Sequence, residues 1–268
     1  MRRMHLIELH EQSWFPGSQR DVLTDELQLL LSLTKPYQPL IRRLRGALER
    51  SGSTQIVDLC SGAGGPWLGL YPQLERAGSP PFDLVLTDKY PNAGASRAEK
   101  TAAGSRMRFS QEPVDATRLP DSLRGFRTLF NSFHHFRPRE ARAILQDAFE
   151  KKQGIGIFET PGRHALTILM VFLVPVGALL VAPFVRPFRW TVLLWTYLIP
   201  VVPAVLFFDG MVSCLRAYSP KELGELAEPL RANGYQWEIG EERGGWLRLP
   251  ITYLIGYPDR MTEEPNLR

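Results

Sequence analysis

Three acidic residues stand at the ends of short apolar runs that are typical of buried strands. They are Asp58, Asp88 and Asp115. The carboxyl ends of parallel strands meet at one edge of an open sheet, and ligands bind at that edge. Asp88 follows Gly64 at about the spacing at which a carboxylate accepts hydrogen bonds from ribose hydroxyls. Asp115 is placed to accept from the exocyclic amine of an adenine, and Asp58 suits a cationic end of the same ligand.

A glycine-rich segment directly follows the first of these acids, where residues 55–65 read QIVDLCSGAGG. A strand that runs into Ser61–Gly65 predicts a tight loop at which the backbone approaches a ligand, because glycine lacks a Cβ and tolerates positive φ. A tight turn without a ligand is the simpler alternative. Two further acids at strand ends favour a binding loop.

Alternating helices and strands position these residues. Helices are predicted over residues 21–33, about 37–50, 67–76 and 140–151, with another that begins at Ser219. Strands are predicted over 55–59, 82–87, a third ending near 116, 127–131, 154–158, 235–240 and 247–257. This order predicts an α/β fold with a mainly parallel sheet, helices on both faces, and an antiparallel edge where a Gly-Gly link joins the last two strands.

These motifs resemble the class I S-adenosylmethionine-dependent methyltransferases, over residues 54–160 and again over 219–257. The resemblance implies a Rossmann-like seven-stranded mainly parallel sheet with an antiparallel edge strand. It also implies that residues 58–64 cradle the methionine part of S-adenosyl-L-methionine, that Asp88 holds its ribose and that Asp115 holds its adenine. Cys60 stands where the family usually has its first glycine, and Phe133–Phe136 is similar to the family's small-molecule members.

The resemblance implies a cofactor site and a division of the chain. The predicted cofactor-binding residues are Asp58, Cys60, Ser61, Gly62, Ala63, Gly64, Asp88, Lys89, Asp115, Ala116 and Asn131. The predicted units are an N-terminal helical cap (1–53), a methyltransferase domain (54–164 and 209–258), an inserted hydrophobic hairpin (165–208) and a flexible tail (259–268).

Three other functions are alternatives to methyl transfer. A nicotinamide dehydrogenase needs a third glycine three positions after Gly64, where Trp67 stands, and it has no use for an acid at Asp58. A membrane scaffold has no need of three acids at strand ends. A module that binds the cofactor without chemistry is harder to exclude from the sequence.

His134, His135 and Glu159 are the candidate catalytic residues. A histidine beside the transferred methyl group could act as a general base, although methyl transfer often needs only the positioning of two reactants. The alternative is that one histidine caps the next helix and the other packs near the cofactor. Glu159 is a second candidate base or a substrate contact, and Asn131 is expected to face the cofactor or substrate.

The cysteines and the charge exclude several classes of site. The chain has two cysteines, Cys60 and Cys214, with no CxxC pair, so neither a disulfide framework nor a metal site is predicted. Cys60 is expected to be a small packed residue. The net charge of +4 is scattered and predicts no nucleic-acid partner. Arg42, Arg43 and Arg45 form the tightest basic cluster, which suits a solvated helix face or an anionic membrane surface.

The segments 165–185 and 190–208 contain no charge and are 21 and 19 residues long. As helices they are long enough for the hydrocarbon core of a bilayer, so they predict a membrane hairpin that either spans or re-enters. Arg186 and Arg189 at its tip argue against spanning from the cytoplasm. A lid packed over the active site is the soluble alternative.

Together these features predict a membrane-associated methyltransferase whose catalytic domain faces the cytoplasm. Its expected acceptor is a hydrophobic small molecule or lipid, with O-methylation preferred. The alternative is a cofactor-binding module or membrane scaffold without methyl transfer.

Overall fold

The computed structural model describes residues 2–91, 106–186, 188–231 and 234–258. The predicted tail, 259–268, lies outside them. The strands are β1 (Gln55–Leu59), β2 (Asp83–Leu86), β3 (Met107–Phe109), β4 (Phe126–Phe130), β5 (Ile155–Glu159), β6 (Tyr235–Gly244) and β7 (Leu249–Pro258). The helices are α1 (Gly17–Thr34), α2 (Ile41–Ser51), α3 (Trp67–Arg76), α4 (Pro138–Glu150), α5 (Ala165–Val171), α6 (Val174–Val181), α7 (Trp190–Leu193), α8 (Val201–Arg216) and α9 (Pro220–Ala227).

One seven-stranded sheet has the order β3-β2-β1-β4-β5-β7-β6. The first five strands are parallel to one another, whereas β7 runs antiparallel to both β5 and β6. The chain goes outward from β1 to β3 and then returns to the other side of β1, so the switch point lies between β1 and β4. The predicted Rossmann-like sheet is confirmed, and the antiparallel strand lies one position inside the edge strand β6.

The two faces of the sheet are covered by different helices, because successive strand residues point to opposite faces. Ile56 on β1 packs with α2 and α3, and its neighbour Val57 packs with α4 and α9. Both side chains are fully buried. This alternation produces two apolar layers, which fix the strand ends where the predicted site lies.

The prediction of a third strand ending near residue 116 is wrong. The strand ends at Phe109, and Val114 and Ala116 lie in the following loop. Both are buried in the core and so have the apolar character of a strand. Pro113 precedes them and lacks a backbone N–H, which disfavours a longer ladder, although the N–H of Val114 does donate to the carbonyl of Asp88.

The segments 165–185 and 190–208 form short, bent helices rather than two continuous ones. Each segment is broken: α5 is separated from α6, and a π-helical turn at Leu194–Leu198 precedes α8. Pro175 lies in the first turn of α6 and Pro200 caps α8, positions at which proline begins a helix rather than continues one. α8 continues through residue 208 to Arg216 and so crosses the predicted domain boundary.

No single described helix is both long and apolar enough for a bilayer crossing. Two bent pairs have the required length and composition together, 165–171 with 174–184 at 41° and 190–198 with 201–216 at 71°. The helices α5–α8 pack on α1, where Val22 and Leu23 meet Ala178, Val202 and Leu206. Many of their other apolar side chains are exposed: Leu169, Phe172, Leu173, Val176, Leu180, Phe184, Phe188, Trp190, Leu198 and Ile199.

Candidate active site

The loop after β1 turns sharply at Cys60. Its φ is +57°, in the left-handed region that favours glycine. The residue therefore keeps the backbone conformation of the glycine that it replaces in the resemblance. Gly64 follows at φ +104°, where an added Cβ would lie 3.2 Å from the Phe109 ring. The loop needs a residue without a side chain at Gly64 because the space there is already filled.

Asp58 supports this loop from below. One carboxylate oxygen accepts from Ser61 Oγ at 2.6 Å and the other from Thr128 Oγ1 at 2.6 Å. The side chain is 1% exposed, and burial raises its pKa to about 7. The sequence predicts that this carboxylate meets the cationic end of a ligand. Its two oxygens instead join β1, the loop and β4.

Asp88 lies just past β2 and faces the loop. Its carboxylate accepts from the backbone N–H of Gly62 and from that of Tyr90, both at 2.8 Å. Burial raises its pKa. The groove beside it is lined by Ser61, Gly62, Asp88, Phe109 and Ser110, among others. This groove encloses about 10 Å³, so a nucleoside can enter only if it opens.

Asp115 lies farther along the same edge. Its carboxylate accepts from the N–H and hydroxyl of Thr117, at 2.9 and 2.6 Å, and it lies 3.6 Å from Lys89 Nζ. Burial would raise its pKa, but these donors outweigh burial and lower it. Lys89 is therefore adjacent to Asp115, while Ala116 is part of the core.

Asn131 does not present its amide oxygen to open space. It has φ +48°, and its Oδ1 accepts from the Tyr37 hydroxyl at 2.5 Å and from the N–H and hydroxyl of Thr160 at 2.8 and 2.9 Å. The expectation that it faces the cofactor or substrate is wrong for this oxygen. Asn131 instead joins the ends of β4 and β5 to Tyr37, a residue that the sequence did not indicate.

Glu159 and His134 form a buried pair at the end of β5. Glu159 Oε1 accepts from the N–H groups of Ser132 and Phe133 at 2.9 and 2.7 Å, and Oε2 lies 2.5 Å from His134 Nδ1. Burial opposes a charged imidazole, but Glu159 outweighs it and raises the pKa of His134. Both carboxylate oxygens of Glu159 therefore fix the histidine and the turn before α4.

The N-terminal segment supplies polar groups that the sequence reasoning missed. The N–H groups of Leu9 and His10 donate to Asp209 at 2.7 and 3.1 Å. Arg216 donates to Glu11 at 2.8 and 3.0 Å and to the carbonyl of His135 at 2.7 Å. The segment and its partners Asp209 and Arg216 are some 200 residues apart in sequence, and no periodicity marks the segment.

Arg137, rather than either histidine, is the N-cap of α4. His134 and His135 lie in the short 3₁₀ helix before it. The expectation that one of them caps the helix is therefore wrong. Arg43 pairs with Glu242 at 2.5 Å and Arg45 with Glu49 at 3.1 Å, so two members of the basic cluster have partners on the protein itself.

No family model and no curated protein matches this chain. Among solved structures, it is similar to an O-methyltransferase of neocarzinostatin biosynthesis in complex with S-adenosylmethionine and 2-hydroxy-5-methyl naphthoic acid. That match has 16% identity and a TM-score of 0.48, and it covers 89% of this chain and 58% of that one.

Two further structures match at a similar level. Magnesium protoporphyrin IX methyltransferase from Synechocystis PCC 6803 has 12% identity and a TM-score of 0.46, with 82% of each chain covered. A SAM dependent methyltransferase from Aquifex aeolicus has 13% identity and a TM-score of 0.48, with 90% of this chain and 98% of that one covered. At these identities an activity does not transfer. The fold itself is an α/β, Rossmann-like sheet of seven strands, mainly parallel, with β7 antiparallel.

Proposed function

We propose that this chain is an S-adenosylmethionine-dependent methyltransferase. The observation that carries the proposal is the hydrogen bond between Gly62 N–H and the Asp88 carboxylate beside the switch point of the sheet. It places a glycine loop and an acid from the next strand at one groove, as the family resemblance requires. Asp88 would bind the ribose hydroxyls and Asp115 the adenine. Bound S-adenosylmethionine would supply the electrophilic methyl group.

The residues present fit this cofactor better than a nicotinamide. Trp67 stands where the dehydrogenase loop needs its third glycine, and it is fully buried as the first residue of α3. Its ring packs edge-on against Phe82 and Phe130. The third glycine of that loop allows helix and strand to pack closely, and the buried indole at this position excludes such packing.

The proposed acceptor is a hydrophobic small molecule or a lipid, with oxygen preferred as the nucleophile. The support is the apolar surface of α5–α8, which follows directly after β5 and so lies near the predicted acceptor side. The proposal assigns no general base, because aligning two reactants accounts for much of the rate of such transfers. Glu159 fixes His134 before any substrate binds.

The proposed location is the cytoplasmic face of a membrane, with α5–α8 inserted into one leaflet. Bent pairs of short helices support re-entry or surface insertion over a straight crossing. Arg186 and Arg189 lie between the two apolar segments. Arg189 forms an ion pair with Asp25 of α1 and so binds the protein itself rather than lipid headgroups. Exposed side chains such as Leu180, at 67% exposure, would be costly to leave in water.

Calorimetric titration with S-adenosylmethionine and, separately, with NADH tests the cofactor. Asp88→Ala should weaken S-adenosylmethionine binding by about 1–3 kcal/mol, since it removes the acceptor for ribose hydroxyls. Asp88→Asn keeps an acceptor for Gly62 N–H and should lose less. The matched control is Asp83→Ala, because Asp83 is exposed at the start of the same strand.

Unchanged affinity in Asp88→Ala, or binding of NADH alone, contradicts the proposal. Binding of S-adenosylmethionine with no methylated product in a membrane extract supplied with the labelled cofactor would favour a binding module. Binding of neither compound by folded protein would favour the scaffold.

A further inference from the structure

Two buried side-chain atoms without hydrogen-bond partners, Glu8 Oε2 and His134 Nε2, lie beside the end of β4. His135 Nδ1 lies next to them and contacts the Glu11 carboxylate. Ligand atoms from Glu8, His134 and His135 all lie within 4.8 Å of one another. Glu8 is 0% exposed and His134 is 2% exposed. An unpartnered polar atom at such burial costs about 1–3 kcal/mol, so two at one point indicate a missing ligand.

The spacing of these atoms suits a small cation. Glu8 Oε2 lies 3.3 Å from His135 Nδ1, and Glu8 Oε1 lies 3.6 Å from His134 Nε2. Ligand atoms about 2.0–2.1 Å from a tetrahedral ion are roughly 3.3 Å apart. The cluster therefore needs only small side-chain shifts to surround an ion.

A second carboxylate already orients one of the histidines. Glu159 lies 2.5 Å from His134 Nδ1 and so leaves Nε2 facing Glu8. A metal-binding histidine commonly donates its other ring N–H to a carboxylate in this way, which fixes the tautomer and the direction of the ring.

The charged groups around the cluster favour the binding of a cation. Four carboxylates, those of Glu8, Glu11, Glu159 and Asp209, surround it. Arg216, which lies 3.4 Å from Glu8 Oε1, is the guanidinium that contacts Glu8. It also pairs with Glu11. Asp209 pairs with His10 and Glu159 with His134, so these two carboxylates have imidazole partners. Arg216 alone faces the remaining two, Glu8 and Glu11, and a cation would compensate the charge that is left, since buried charges are stable only when they are compensated.

We propose that Glu8, His134 and His135 form a site for a divalent transition-metal ion of the Zn²⁺ class. Two imidazole nitrogens and one carboxylate oxygen favour such ions over Mg²⁺ and Ca²⁺, which prefer all-oxygen sites. The ion would fasten the N-terminal segment to the turn after β4. The proposal does not depend on methyl transfer. The sequence predicts no metal site, because Glu8 is separated from His134 and His135 by most of the N-terminal half of the chain.

Titration of tag-free, chelator-treated protein with Zn²⁺ tests the site. We expect one equivalent of Zn²⁺ to bind. Glu8→Gln and His135→Ala should each weaken Zn²⁺ binding by more than about 100-fold, a larger loss than is usual when a residue that only contacts a metal ligand is removed. The matched control is His164→Gln, because His164 is exposed and pairs with Glu241 away from the cluster. It should bind Zn²⁺ as the wild type does.

A second measurement uses only the wild-type protein, in case a variant fails to fold. X-ray absorption of the Zn²⁺-loaded protein should show two imidazole nitrogens bound to the metal. No Zn²⁺ binding by folded protein, fewer than two imidazoles, or equal binding in Glu8→Gln would overturn the proposal. The cluster would then be a network of hydrogen bonds and ion pairs alone.

Discussion

At the level of single residues, Asp58 makes stability depend on pH. Burial raises its pKa to about 7, well above the usual value for aspartic acid. Between about pH 4 and pH 7 the folded protein thus retains a proton that the unfolded chain has lost, and stability from this group falls as the pH rises. Asp58→Asn should remove this part of the pH dependence. Urea unfolding of both proteins at several pH values measures it.

The control for Asp58 is Asp83→Asn, on an exposed carboxyl of the neighbouring strand. That variant should keep the pH profile of the wild type. A wild-type profile in Asp58→Asn would mean that Asp58 is already ionised at low pH, with Ser61 and Thr128 stabilising the charge.

Cys60 provides a second prediction, because its backbone has φ +57°. Cys60→Gly should leave the free energy of unfolding within about 1 kcal/mol of the wild-type value. Glycine relieves the strain of the left-handed conformation, and this gain offsets the greater conformational freedom of the unfolded chain. Cys60→Val should cost about 2 kcal/mol, because a β-branched side chain fits this conformation poorly. Thermal and urea unfolding distinguish the two. Equal stability of both variants would show that backbone strain is not important here.

The sequence predicts some site residues better than others for a physical reason. Asp58 and Asp88 stand at strand ends that a local apolar pattern reveals, and both lie at the loop as expected. The orientation of their carboxylates depends on neighbours such as Thr128, which come from other strands. Glu8, Asp209 and Arg216 carry no local signal, because only the folded chain brings them together.

At the level of elements, α9 begins with a capping box at Ser219, the residue at which the sequence predicts the helix to begin. Ser219 Oγ accepts from Glu222 N–H at 3.3 Å, and Glu222 accepts from Ser219 N–H at 2.8 Å. Ser219→Ala should cost about 1 kcal/mol of stability, whereas Ser219→Gly should cost only a few tenths. Urea unfolding of the three proteins measures the difference. A larger loss in the glycine variant would contradict the capping role.

The segments 165–185 and 190–208 show what a local pattern leaves open. An uncharged run of about 20 residues is long enough for one bilayer-crossing helix, yet prolines divide each run into shorter helices. The strand ending at Phe109 shows an error of the local pattern, since buried loop residues have the composition of a strand. In both cases the backbone geometry depends on proline and on the packing partners, which the apolar content alone does not reveal.

At the level of the whole molecule, the proposed membrane contact predicts vesicle binding. Leu180 and Leu198 are 67% and 76% exposed on the inserted helices. Leu180→Asp with Leu198→Asp should lower binding to phosphatidylcholine vesicles by at least about tenfold, because burying each leucine is worth about 1.5–3 kcal/mol. Vesicle sedimentation measures the bound fraction.

The matched control for vesicle binding is Trp246→Asp. Trp246 is 74% exposed in the turn between β6 and β7, outside the inserted helices. Its replacement should leave vesicle binding unchanged. An equal loss of vesicle binding in the control would contradict the proposed membrane contact. So would unchanged vesicle binding in a double variant whose circular dichroism spectrum matches that of the wild type.

The contact between Glu11 and Arg216 also affects how the chain folds during synthesis. The two residues are 205 positions apart. At about 5–20 residues per second, a ribosome needs roughly 10–40 s to make the intervening chain. For that time the acidic segment around Glu8 and Glu11 has emerged without its arginine. The central sheet can begin to form meanwhile, and closure of the N-terminal segment over it must come among the last steps of folding.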